Sequence, residues 1–482
     1  MNMIRIFLAT SLVAGTLGCG DSSGKQDSNP GTLDGGIHDT KVDTLPHDTT
    51  FDTLRPDTTF DTVPPDGGLP PGTWIMSMGG VGNDVGSDIV VDTSGNVYVL
   101  GAFYNASYFG SFTLISTGGY DVFLVKFSPT GQVLWAKSIG GPQWDWGNHM
   151  TLDKDGNIVV TGHFMEQVIL EGNVLSAVGA QDIFVAKYSP AGKLVWVNSA
   201  GGAMTETDSD VAVDALGNTY LTGHFKAKAS FDLISLTSEG GDDLFVARLS
   251  HGGEFDWATQ ASGAISSASG KSIGVDSSND IYVTGLFNNN ATFESTTITS
   301  AGKNDVFVAK YSHVGDFLWA TPAGGTDDDE ANSLTLDSSN NAYIAGDFRG
   351  QAAFGTTSLF SKGAADVFVA KIDPDGKFVW ATAGGGLDWD HAADISIDAN
   401  GYIYLIGSYS TQSTFGPTIL SSTGAKDIFI AKLFPSGQFY SASSAGGYTS
   451  DSGYGIVSGS TGFAFVTGDY GTQANFGNAK LT

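Results

Sequence analysis

Cysteine is almost missing from this chain: the one residue, Cys19, lies ahead of every segment that reads as folded. The folded part therefore has no internal disulfide and must be held by its core alone. Basic side chains are also scarce, 22 Lys and Arg against 51 Asp and Glu, which gives a formal charge of −29. A surface so negative repels phosphate backbones and anionic headgroups, so nucleic acid is not an expected partner, while cations and neutral polymers remain. Past the first residues no run of about 18 apolar residues occurs, which leaves no helical membrane span. Phosphate-cradling glycine loops, zinc-protease helices and nucleophile elbows are missing too. What is plentiful is glycine, 66 residues, with charged residues at only 15%. That mixture predicts apolar strands joined by many tight turns.

Residues 1–18 carry one basic residue, Arg5, then an apolar stretch from Ile6 to Ala14 and small residues up to Gly18. The stretch is too short to span a bilayer but suits the core of a signal peptide. Thr16-Leu17-Gly18-Cys19 resembles a bacterial lipoprotein signal, although that family prefers Leu where Thr16 stands and a small residue where Leu17 stands. The resemblance implies lipidation of Cys19 and export to the bacterial outer membrane or cell surface, with the membrane touched only through that anchor. An ordinary cleaved signal would make the protein secreted. Residues 19–72 follow as an Asp/Thr/Pro linker, with Asp-Thr pairs at Asp39, Asp43, Asp48, Asp52, Asp57 and Asp61. They hold too little apolar surface to offset the entropy of ordering and are expected to form a disordered stalk.

From residue 73 to 482 the chain repeats itself. A framework aromatic recurs at Trp74, Trp135, Trp196, Trp257, Trp319, Trp380 and Tyr440, at steps of 61, 61, 61, 62, 61 and 60 residues. An acidic column keeps the same step at Asp92, Asp153, Asp214, Asp276, Asp337 and Asp398. Another runs through Asp121, Asp182, Asp243, Asp305, Asp366 and Asp427, each five residues before a Lys or Arg. Within a copy, apolar runs predict strands over 88–92, 97–103, 121–127 and 133–138, with a shorter one near 112–116. Pro129-Thr130-Gly131 punctuates the last pair as a turn, proline presetting φ and glycine accepting its positive value. Four-stranded units of this length predict an all-β propeller, most simply of seven blades, because closing a ring removes exposed strand edges. The pattern GG-x3-D…VD-x2-GN-x-Y-V-x-G-x-F…FG…D-x-F-V-A-K…P-x-G…W resembles the bacterial SBBP β-propeller repeat over residues 74–482. That resemblance implies a cell-surface or secreted propeller with no catalytic residues common to the family. Copy seven departs from it: its third strand would begin near residue 487 by offset, so the last blade is incomplete or is closed by the N-terminal strand.

Residues repeated in every copy read as architecture, since a propeller has one axis and usually one site on it. The informative positions crowd the loops before each first strand. An acid stands there at Asp84, Asp145, Glu206, Asp329, Asp390 and Asp451, with Ala268 the exception. Those six either ring the channel mouth, where calcium or a cationic ligand could bind, or cap their own turns. The same loops hold the tryptophans outside the framework, Trp144, Trp146 and Trp389, each near a histidine, His149 or His391. Aromatic faces beside polar groups suit a sugar. Copies two and six lie nearly opposite on a seven-bladed ring, which predicts two clusters too far apart for one small ligand but suited to a chain crossing the face. The expected task is binding or scaffolding, with a glycan or protein as partner and no cofactor beyond possible calcium. The alternative is a propeller enzyme acting on polysaccharide, a lyase or glycoside hydrolase using the histidines and loop acids.

Overall fold

The computed structural model describes residues 3–9, 74–80, 82–263, 267–459, 464–471, 474–476 and 479–481. Cys19 and the linker lie outside the described residues, as does most of the stretch read as a signal. Every regular element among those described is a β-strand. The first complete sheet runs antiparallel through Asp84–Val91, Val97–Phe109, Phe112–Phe127 and Val133–Ile139. The same four-strand meander recurs from Asp145, Thr207, Ala268, Asp329 and Asp390. A further sheet starts with Ser452–Ser458 and Ala464–Tyr470, then takes Met3–Ala9 and Ile75–Gly80 from the start of the chain. The inner strand at Asp84 packs on that of the next sheet and on Ser452–Ser458, so the inner strands form a closed ring. The architecture is the all-β propeller that the repeat predicts.

Two differences from the sequence reading have physical causes. First strands begin four residues earlier than expected, at Asp84 rather than Asp88, because a bulge between Gly86 and Asp88 lets pairing continue through the loop. Such a bulge inserts one unpaired residue and turns the strand. The closing sheet also has a third strand after all, Met3–Ala9, from the stretch read as an export signal.

Three contacts fix one blade to the next. Among the described residues each core is shared between neighbouring sheets: Leu100 and Leu124 of the first lie with Val160 and Phe184 of the second, all fully buried. Burial of each such side chain stabilises the fold by about 1.5–3 kcal/mol. Outside the core, the framework indoles clasp the following blade. Trp135 Nε1 donates to the Pro190 carbonyl at 3.3 Å and Trp319 to that of Pro374 at 3.1 Å. The turn glycine beyond lies flat on the ring. A Cβ on Gly253 would sit 2.6 Å from Trp196, and its φ of +93° is one that other residues avoid. Finally, each repeat sends out a short hairpin that extends the sheet of the blade before it, as Ala229–Phe231 does beside Ala200–Gly202.

The repeated charges are structural. Asp153 accepts from the backbone N–H groups of Asp155 and Asn157 and from the Asn157 side chain. Its carboxylate also lies 2.7 Å from Lys187 Nζ, with both side chains 1% exposed. Removing one partner of a buried pair strands the other charge. Lys187→Ala should therefore lower unfolding free energy by about 3 kcal/mol or more, whereas Lys154→Ala, on an exposed lysine, should cost less than about 1 kcal/mol. Urea midpoints of the two variants check this.

Candidate functional site

The bulge that shifts the first strands also builds the site. In each blade the register shift skips one residue: Ser87, Asn148, Ser209, Lys271, Asn332, Ala393 and Tyr454. All seven line one cavity of 640 Å³. Every blade thus contributes one side chain to a common axial space, and no two neighbouring blades contribute the same residue type. These seven were not singled out from the sequence. Their only signal was position, five residues before the framework Asp column, since their identities do not repeat.

Of the predicted residues, Trp146, His149 and His391 line the same cavity. The expectation that the two Trp-His clusters lie too far apart for one small ligand is corrected to that extent. Both approach the axis, and side chains from opposite blades wall one space. His149 Nδ1 is 3.7 Å from Asp88 Oδ2 and 3.7 Å from Asp210 Oδ1. Those carboxylates also tie blade to blade: Asp88 accepts from Met150 N–H at 2.7 Å, and Asp210 from Ile273 N–H at 2.9 Å. Burial pushes Asp88 up to about 7, opposed by His149 and reinforced by Asp394 and Asp210. His391 Nδ1 pairs with Asp347 Oδ1 at 2.9 Å. Burial works against its charged form, but the hydrogen bond and charge of Asp347 prevail and raise its pKa.

Beside the cavity lies an aromatic rim. Tyr120 sits at its centre, with ring centroids 5.5 Å from Tyr104, 5.5 Å from Trp144 and 5.2 Å from Trp146. Trp144, 57% exposed, lines a second hollow of 550 Å³ that shares Asn83 and Tyr120 with the axial one. Gly119 is needed here, because a Cβ on it would fall 2.1 Å from the Trp144 ring. Trp389 lines neither hollow. It is exposed and carries the Arg349 guanidinium 4.5 Å from its ring centre.

The six loop acids do not form a ring open to the channel. Each is buried, 1% exposed or less, and accepts the backbone N–H of the glycine four residues earlier. Asp145 takes Gly141 at 2.6 Å, Asp329 takes Gly325 at 2.7 Å, and Asp451 takes Gly447 at 2.8 Å. Asp84, Glu206 and Asp390 do the same. Most also face the third-strand Asp of the preceding blade. A Cβ on Gly324 would lie 2.6 Å from Asp305 Oδ1 and 2.9 Å from Asp329 Oδ2, which explains the Gly-Gly step. Among the described residues no three His, Cys, Asp or Glu side chains come together as a metal site. Burial is the main cause that lifts Asp145 to about 8 and Glu206 and Asp329 to about 7, with Asp121, Asp182 and Asp305 adding repulsion. Asp84, Asp390 and Asp451 rise to about 6.

Residues 256–290 match the family described as SBBP, a beta-propeller repeat. The chain is also 27% identical over 240 residues to an uncharacterized WD repeat-containing protein of Acanthamoeba polyphaga mimivirus. That match takes in 41% of this chain and 17% of the relative, so the chain spans a small part of the protein it resembles. Among solved structures it is similar to the WD40 domain of Neurospora crassa Pan2, at TM-score 0.40 and 10% identity over 80% of this chain and 88% of that one. A virginiamycin B lyase from Staphylococcus aureus gives TM-score 0.40 and 10% identity over 81% of this chain and 97% of its own.

The buried carboxyls give the fold a definite pH response. With folded values raised, they keep protons at pH values where the unfolded chain has released them, so the stability they contribute is fully present below about pH 4 and is lost as pH rises to about 8. Melting temperature should be several degrees higher at pH 5 than at pH 8. Asp145→Asn should shrink that gap, and an undiminished gap in the variant would contradict the assignment.

Proposed function

We propose that this chain is an exported binding propeller, lipid-anchored through Cys19 and held off the membrane by its Asp/Thr/Pro stalk, whose aromatic face takes a neutral glycan. The observation that carries the reading is the continuity of the two hollows. Tyr104, Tyr120, Trp144 and Trp146 run as one chain of rings from the exposed rim to the axial cavity. Ring faces give sugars their apolar contact, while Asn83, Asn148, Asn332 and Ser87 on the cavity wall can bond hydroxyls. The large negative charge of the chain supports a neutral polymer over an acidic one. A protein partner on the same rim is the other member of this class, and an array of glycans and surface proteins separates the two.

A second reading has one observation in its favour. The Asp347–His391 pair resembles a histidine held in orientation by a carboxylate, placed at the wall of a cavity. The loop acids that a glycosidase would need are buried in their turns and do not line that space. A polysaccharide lyase or hydrolase is therefore the weaker proposal.

Polysaccharide pull-down with the exported protein tests both. The double variant Trp144→Ala/Trp146→Ala should weaken glycan binding by about tenfold or more, with no change in melting cooperativity. Product release that His391→Ala abolishes would establish the enzyme instead. Binding that survives the double variant would remove the aromatic face from the account.

A further inference from the structure

The chain has 51 acidic side chains against 22 basic ones, yet the wall of the axial cavity reverses that balance. Lys271, His149 and His391 line it, and Asp469 is the one carboxylate among the lining residues. Burial raises the Asp469 carboxyl above its usual range, towards the uncharged form. His391 is held towards its charged form by Asp347. The acids nearest His149 are engaged elsewhere: Asp88 and Asp210 accept backbone N–H groups of the following blades.

Lys271 is the only charged residue among the seven bulge positions. Elsewhere Lys187, Lys310 and Arg349 each meet a carboxylate, Asp153, Asp276 and Asp328. Among the described residues Lys271 has no ion pair and no hydrogen bond. Its charge reaches His224, whose pKa burial lowers first, with Asp242 opposing and Lys271 adding to the fall. Asp242 in turn pairs with Lys226 at 3.2 Å. An ammonium on a cavity wall with no anion of its own is a point charge available to a ligand.

The cavity also has an end. Its lining follows the first strands as far as His149 and stops there. The column to which His149 belongs forms a belt from blade to blade: Leu334 N–H donates to Ser272 Oγ at 3.1 Å and Ile456 N–H to Asp394 Oδ2 at 2.7 Å. Lys271 stands above that belt, three blades on from Tyr120 at the aromatic rim.

We propose that the axial cavity is a carboxylate subsite, which takes the terminal sugar of a glycan when that sugar is a uronate and holds its carboxylate on Lys271. This deepens the glycan reading above and rests on it. Neutral sugars of the chain lie on the rings from Tyr104 to Trp146, and only the end that dips to the belt is acidic. Asn148, Asn332 and Ser87 are placed on the same wall to bond its hydroxyls.

Calorimetry on the full chain tests this with two neutral-bodied tetrasaccharides that differ only in the non-reducing terminal sugar, glucuronate in one and glucose in the other. The acid-ended one should bind about tenfold more tightly or better. Lys271→Met should erase that preference and leave affinity for the glucose-ended one unchanged, while Lys271→Arg should keep it. Both variants should melt as the parent does, since Lys271 holds no partner. Equal affinity for the two sugars would overturn the carboxylate subsite and leave the glycan reading standing; silence towards both from a folded protein would overturn the two together. Free glucuronate that binds as tightly as the acid-ended tetrasaccharide would overturn the assignment to a chain end.

Discussion

A strand in a sheet leaves donors and acceptors along both edges, and a sheet leaves apolar side chains on both faces; neither can be abandoned to water without loss. In this protein the next repeat answers both demands. The faces are covered by the neighbouring blades, in cores that belong to pairs of blades rather than to one. The outer edge is covered by a hairpin from the following repeat, and the clasp of indole on turn glycine fixes the spacing. In the last copy Tyr440 takes the framework place and packs on Tyr402 and Phe434.

Uniform neighbours permit a non-uniform centre. The bulged position of each first strand lines the axial cavity and lies outside the indole clasps and outer hairpins, although Asn332 also donates to the Ala392 carbonyl of the next blade at 2.9 Å. Serine, asparagine, lysine, alanine and tyrosine can all stand there. The residues that hold the ring repeat, and those that line the axial cavity are free to differ.

This division also governs what could be read in the sequence. The Trp, Asp and Gly columns were legible because each is used the same way in every blade, and periodicity is what a sequence displays best. The convergence of Trp146 and His391 was not, because a bulge decides which way those side chains turn, and a bulge leaves no residue signature here. The loop acids were legible as a column but not in their setting. An acid eight residues before the framework Asp reads the same whether it faces water or, as Asp145 does, lies wholly buried against Asp121. The third strand of the closing blade was invisible for another reason. Strand pairing between residue 5 and residue 468 joins the two ends of the chain, and no local pattern reports it.

The outer hairpins put the chemical repeat and the blade out of step. One 61-residue period contains most of one sheet and the trim of the sheet before it, so no cut through the period releases a self-contained blade. Unequal exchange between copies can begin anywhere in the period and still insert one whole blade, because whatever is split at one junction is completed at the other. The number of blades is then limited by how far the ring can bend before the cores of adjacent sheets part, and not by where a duplication happened to start.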